Sequence, residues 1–158
     1  MIVKDVIDVD YINYKDPSML IAMPRCTFKC DVCNGKQVCQ NSALARQPDI
    51  IIDTEKLIKR YLKSSAKVVV FGGLEPFDTF DDLLLFIDKL RRQHHCDDMI
   101  VIYSGYTKEE IQNQIDILKQ YNKIIIKFNR YIDNLPSRKD NVLGVTLASN
   151  NQYAEQIS

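Results

Sequence analysis

Apolar residues in this chain fall into two alternating rhythms. The first is the short continuous run. Met19-Leu20-Ile21-Ala22-Met23 lies within Ser18 to Pro24, followed by Lys67 to Phe71, Met99 to Tyr103, Lys123 to Phe128 and Val142 to Leu147. Runs of this length, rich in β-branched residues and bounded by Gly, Ser or Pro, predict buried strands. The second rhythm has helical spacing. Leu57, Ile58, Tyr61 and Leu62 follow Asp53-Thr54-Glu55, with Asp53 as N-cap. Leu83, Leu84, Phe86, Ile87 and Leu90 follow Thr79 and form a core-facing stripe. Ile111, Ile115 and Leu118 follow Thr107 and Glu110, which have capping-box spacing.

Strands that alternate with amphipathic helices predict an α/β fold with a parallel sheet buried on both faces. A closed eight-fold barrel needs at least ~200 residues. The 158 residues here have room for about five strands, so the expected architecture is an open partial (β/α) barrel of mainly parallel strands. In such folds function gathers at the carboxyl ends of the strands. Three loops should meet there. They are the cysteine-bearing loop after Met23, Gly72-Gly73-Leu74-Glu75-Pro76, and Ser104-Gly105-Tyr106. An open side suits a large substrate, such as another protein.

Composition narrows the class. The length is that of one domain, 1–158, and 46% hydrophobic residues suffice for an ordinary core. Lys plus Arg and Asp plus Glu are each 21, so the net charge is zero and no basic stripe points to nucleic acid. The first residues, Met1-Ile2-Val3-Lys4-Asp5, do not read as a signal peptide, and no apolar run approaches the ~18 residues of a membrane span. Unpaired cysteines then suggest the reducing cytoplasm.

The chemistry centres on Cys26, Cys30 and Cys33, within a loop spanning 25–36. Three thiolates at gaps of three and two residues can wrap an iron–sulfur cluster and leave one iron of four without a cysteine. The spacing matches neither the bacterial nor the plant ferredoxin run. Two alternatives stay open: Cys39 as a fourth ligand, making an electron carrier, or a zinc module drawing on Cys39 or His94-His95-Cys96. Cys39 reads more readily as a free thiol, and His94-His95-Cys96 as a helix cap. Gly72-Gly73 lets a backbone approach a ligand closely, and Glu75 places a carboxylate beside it. Taken alone, such a glycine pair is more often a turn, and such a glutamate a solvated acid.

Together these motifs resemble the radical S-adenosylmethionine (SAM) superfamily. Cys26, Cys30 and Cys33 have its signature spacing, and Gly72-Gly73-Leu74-Glu75-Pro76 looks like its glycine-glycine-glutamate-proline motif. Within it, the chain looks most like the short activating enzymes of anaerobic ribonucleoside-triphosphate reductase. Asn34 after the third cysteine, Ser104-Gly105-Tyr106, and Ser149-Asn150-Asn151-Gln152 resemble features of that group. The chain departs from the pattern at Leu74, at Val32, and at Lys127, where an acidic residue is expected.

The resemblance implies a [4Fe-4S] cluster on Cys26, Cys30 and Cys33, with SAM bound at the fourth iron. It implies reductive cleavage of SAM to a 5′-deoxyadenosyl radical, which makes a glycyl radical on the reductase large subunit. A low-potential donor such as flavodoxin would supply the electron. Gly72, Gly73 and Glu75 would hold the methionine end of SAM, Glu75 by accepting from its amino group. Asn34 would bond near the cluster or SAM, Ser104 would meet the ribose, and Tyr106 would pack near the adenine. Phe28 would shield the cluster. Arg25 and Lys29 would add positive charge, or be plainly solvated. Lys127 and Arg130 would be solvated or partner-facing. A radical SAM enzyme acting on another substrate remains the alternative within the superfamily.

Overall fold

In the computed structural model, which describes residues 1–158, the apolar runs between Ser18 and Phe128 become four neighbouring parallel strands. In chain order the strands are β1 (Ile2–Val3), β2 (Asp5–Asp10), β3 (Ser18–Met23), β4 (Ile50–Ile51), β5 (Val68–Gly73), β6 (Met99–Tyr103), β7 (Ile124–Phe128), β8 (Arg138–Lys139), β9 (Thr146–Leu147) and β10 (Tyr153–Gln156). The helices are α1 (Lys29–Asn34), α2 (Ser42–Ala45), α3 (Thr54–Lys63), α4 (Phe80–Asp88) and α5 (Gln112–Leu118). The main sheet has six strands in the order β10-β7-β6-β5-β3-β2. Strands β3, β5, β6 and β7 pair in parallel, each beside the next in sequence. Antiparallel β2 and β10 form the edges. The fold is a mixed α/β domain with a mostly parallel central sheet.

Each strand sends alternate side chains to opposite faces. Met19, Ile21, Val69, Phe71, Ile100, Ile102, Ile124 and Ile126 share one cluster with the buried residues of α3, α4 and α5. Fully burying such a side chain stabilises the fold by about 1.5–3 kcal/mol. Phe71 meets Phe86 of α4 edge-on, with ring centroids 5.2 Å apart. The other face carries Val68, Val70, Val101 and Ile125, and Tyr14, Leu143 and Leu147 cover it from loops and β9. The three long helices therefore share one face. The opposite face is closed by irregular chain and stays open towards the carboxyl ends of the strands.

The helix signals act as the sequence predicts. The Asp53 side chain accepts from Lys56 N, and Glu110 accepts from Thr107 N. A 3₁₀ turn over Pro76–Thr79 precedes α4, and a π turn over Lys89–Gln93 follows it and carries Leu90 into the core. Leu62 stands 43% exposed, outside the buried stripe. Three expectations need correction. The strand at Lys67 to Phe71 runs through both glycines to Gly73 rather than stopping at them. Edge strands β2 and β10, polar on their solvent sides, were not anticipated. Val142 to Leu147 forms no strand of the main sheet; only Thr146–Leu147 is extended, paired with Arg138–Lys139. The reason is Asp140, whose carboxylate accepts from Val142 N, Leu143 N and Ala154 N. Those donors are no longer free for a ladder, and Gly144 at φ 76 turns the chain back. No helix is long and apolar enough to cross a membrane.

A cysteine-lined cavity at the carboxyl ends of the strands

The site begins with strand register. Ala22 pairs with Gly72, and Tyr103 with Lys127. A Cβ placed on Gly72 would stand 3.5 Å from Tyr103 Cβ. These four residues are the last to face away from the helices on β3, β5, β6 and β7. They floor a cavity of about 630 Å³ on the open face. Gly72 adds no side chain there, which leaves room. Gly73, at φ 75, also lines the cavity, and a Cβ there would press on Ala22 and Leu44, two other residues of its wall.

Above the floor, two carboxylates join the three rim loops. Glu75 Oε2 accepts from Gly105 N at 2.7 Å, and Oε1 accepts from Ser104 Oγ at 2.9 Å and Phe77 N at 3.2 Å. Glu75 N in turn donates to Arg25 O at 2.8 Å. Asp78 accepts from Thr27 N at 2.9 Å and from Tyr106 OH at 2.6 Å. Glu75 and Asp78 thus fix the cysteine loop, the glycine loop and the β6 exit to one another. Burial pushes the Glu75 carboxyl up to about 7, against the pull of its three donors.

The cysteine loop leaves β3 at Pro24 and turns into α1. Phe28, at φ 51, starts that helix, and Gly35, at φ 63, ends it. Phe28 N donates to Cys26 Sγ at 3.2 Å. Cys26, Cys30 and Cys39 all line the cavity, together with Glu75 and Lys127. Cys33 is exposed on the outer turn of α1 and does not line it. Cys30 and Cys33 both lie close enough to Arg130 to act on its charge. No three His, Cys, Asp or Glu side chains converge at single-ion distance.

The remaining candidates stand as follows. The Asn34 amide donates to Cys30 O and Tyr131 O and accepts from Asp133 N. It braces α1 against the loop after β7 and does not line the cavity. Glu75 is no solvated acid, and three of its roughly four acceptor positions serve the protein. The Ser104 proton goes to Glu75, and its oxygen accepts from Tyr106 N. The Tyr106 hydroxyl goes to Asp78, and its ring lies 4.4 Å from Lys29 Nζ, outside the cavity lining. Arg25 is paired with Asp49, and Lys29 with Glu110, so neither brings a free charge to the site. His94 pairs with Glu55 and caps the turn after α4, at the opposite rim from the cysteine loop.

Two corrections concern charge. Arg130 is neither solvated nor free for a partner, because its side chain is 14% exposed and paired with Glu110. Lys127 is 7% exposed, and its ammonium donates to Ser104 O and Asn129 O without forming a salt bridge. Burial lowers Lys127 to about 8, opposed by Glu75 and Cys30. The alternation of β7 could have revealed it, since Lys127 shares parity with Ile125 and not with the helix-facing Ile126. Asp78, three residues after Glu75, carried no signal at all. Ser149-Asn150-Asn151-Gln152 holds the loop after β7: Gln152 and Asn151 donate to Asn129 O and Arg130 O, and Ser149 accepts from Ile132 N.

Soft thiols, backbone N–H groups and a buried ammonium without a counter-ion suit an anionic iron–sulfur cluster in donor type and in charge. Such a rim on an α/β sheet defines a cofactor-binding domain. Residues 18–152 match the family model for the 4Fe-4S single cluster domain, and the chain belongs to that family. Neither the curated proteins nor the solved structures contain a match to it.

Proposed function

We propose that the chain is a radical SAM activating enzyme that generates a glycyl radical on a partner enzyme, the large subunit of an anaerobic ribonucleotide reductase. The observation that carries this is the convergence on one cavity of Cys26, Cys30, Gly72, Glu75 and Ser104. Four parallel strands in sequence order, with helices on one face, support an open partial barrel whose interior is that cavity. A [4Fe-4S] cluster on Cys26, Cys30 and Cys33 would supply the electron that splits SAM into methionine and a 5′-deoxyadenosyl radical, which takes a hydrogen atom from a backbone glycine of the partner.

The chain's own residues would do the rest. Gly72 leaves space against the floor. Glu75 holds Ser104 and Gly105 in place and keeps one acceptor position for an amino group. Lys127 sets a positive charge beside Cys30. Cys33 would turn inward by a shift of α1, whose i, i+3 spacing already places it on the same face as Cys30. The open face admits the partner's glycine loop. A flavodoxin-like donor and a cytoplasmic setting complete the proposal.

The test is anaerobic reconstitution with iron and sulfide, then reduction with dithionite in the presence of SAM. We expect about four irons per chain, with methionine and 5′-deoxyadenosine formed in equal amounts. The reductase large subunit should then show a glycyl-radical signal in electron paramagnetic resonance (EPR). A loaded, reducible cluster that never cleaves SAM would refute the proposal.

A further inference from the structure

The thiol that completes the cavity is one the cysteine motif leaves out. Cys39 lines the same cavity as Cys26 and Cys30, while Cys33 stands outside it. The position is held from two sides. Asp31, between Cys30 and Cys33 on α1, accepts from Val38 N and Cys39 N, each at 2.8 Å. The Asn41 side chain donates to Gly73 O, at the end of β5. Cys39 is therefore suspended between the cysteine helix and the glycine strand, and it must follow any movement of α1.

Cys26 and Cys39 are both partly buried free thiols that open on that cavity. Cys96 is also a free thiol, but it does not line the cavity and sits at the opposite rim. The shared cavity sets Cys39 apart, and so does Lys127, a buried ammonium in its wall whose charge suits an anionic group.

We propose that Cys39 is a reversible fourth thiolate ligand that closes the cluster while no SAM is bound. The inference rests on the cluster reading above and adds to it a resting state with one thiolate per iron. To admit SAM, Cys39 must leave its iron. Its sulfur departs with its electron pair and takes up a proton from solvent, and no oxidation state changes. The amino and carboxylate groups of SAM then occupy the vacated position.

The experiment compares reconstituted wild type, Cys39→Ala and Cys39→Ser. An iron without a thiolate is readily lost on mild oxidation with ferricyanide, and the resulting three-iron cluster is counted by EPR. Without SAM, Cys39→Ala should convert several-fold faster than wild type, Cys39→Ser should fall between them, and SAM should protect the alanine variant. SAM should also bind the alanine variant several-fold more tightly, because no thiolate competes. Equal conversion and equal SAM affinity across loaded proteins would overturn the role of Cys39 and leave the cluster reading intact. Failure of wild type itself to take up a cluster would overturn both. Alkylation of unmodified protein, mapped by peptide mass, settles the matter without any variant. Cys39 should be protected in the loaded protein and become reactive when SAM is added, whereas labelling at the same rate in apo and loaded protein would overturn the proposal.

Discussion

Replacing Gly73 by alanine should damage the fold, while the same change at its neighbour should not. Gly73 sits at φ 75, where a Cβ costs roughly 1–2 kcal/mol. The added methyl would lie 2.9 Å from Leu44 Cδ2, 3.0 Å from Ala22 Cβ and 3.2 Å from Ala22 Cα. The leucine tip can swing aside, but Ala22 belongs to the central strand β3 and cannot. Overpacking of that kind costs about 1–3 kcal/mol. Together, Gly73→Ala should lose about 2–5 kcal/mol, a large share of the ~5–15 kcal/mol that holds a domain together. Gly72 is not in the left-handed region, and its nearest new contact would be 3.5 Å from Tyr103 Cβ, ordinary van der Waals distance. Gly72→Ala should be neutral or stabilising by up to about 1 kcal/mol, through a less flexible unfolded chain. It should still narrow the cavity floor and weaken ligand binding. Urea denaturation of the two apo variants, followed by circular dichroism, gives both free energies. A difference below about 1 kcal/mol, or one in the opposite direction, would refute the strain and close packing assigned to Gly73.

Three further outcomes follow from the same geometry. The Glu75 carboxyl is raised by burial from 4.5 to about 7, so the folded chain binds more protons than the unfolded chain in that window. Stability of the apo protein should therefore fall by roughly 2 kcal/mol as pH rises from about 5 to about 7.5, and a flat urea midpoint across that range would contradict the burial argument. Lys127→Met removes a buried charge, so the apo protein should be as stable as wild type or more so, while the midpoint potential of the bound cluster should fall. A redox titration that shows no change in potential would place Lys127 out of electrostatic reach of the cluster. Asp140→Ala strips the acceptor from three backbone N–H groups, at Val142, Leu143 and Ala154. It should lose about 3 kcal/mol or more in denaturation, and a loss below about 1 kcal/mol would mean that water replaces the carboxylate there.

The parallel strands and long helices were legible because each carries an unbroken local signal. Continuous apolar runs mark β3, β5, β6 and β7, and caps at Asp53 and Thr107 mark the helix starts. What the sequence hid depends on partners distant along the chain. Strand β10 is four residues of mixed polarity whose only reason to be extended is the free edge of β7. The turn at 142–145 looked like a strand because its apolar residues are buried, yet a single carboxylate at Asp140 had already taken its donors. At the site, the motifs located the rim correctly but not the atom that faces it. Glu75 looked like a free carboxylate after a glycine pair. Its bonds to Ser104 and Gly105 span about 30 residues and appear only once β5 and β6 lie side by side. Cys39 was set aside because its spacing fits no motif, whereas its place in the cavity comes from Asp31 and Asn41.

That displacement of roles changes what the cavity selects. Glu110 is paired with Arg130, and burial pushes the Glu75 carboxyl up to about 7, so part of the acidity at the rim is offset near neutral pH. Lys127 has only two carbonyl dipoles around its ammonium. Dipoles offset part of the several kcal/mol needed to bury such a charge, but they do not cancel the charge. At an effective dielectric of about 20, a unit negative charge some 5 Å away would gain about 3 kcal/mol from it. A neutral occupant would gain almost nothing. The balance of charge inside the fold therefore favours an anion at the carboxyl rim, and thiolates holding iron and sulfide are the anion for which this rim has the ligands.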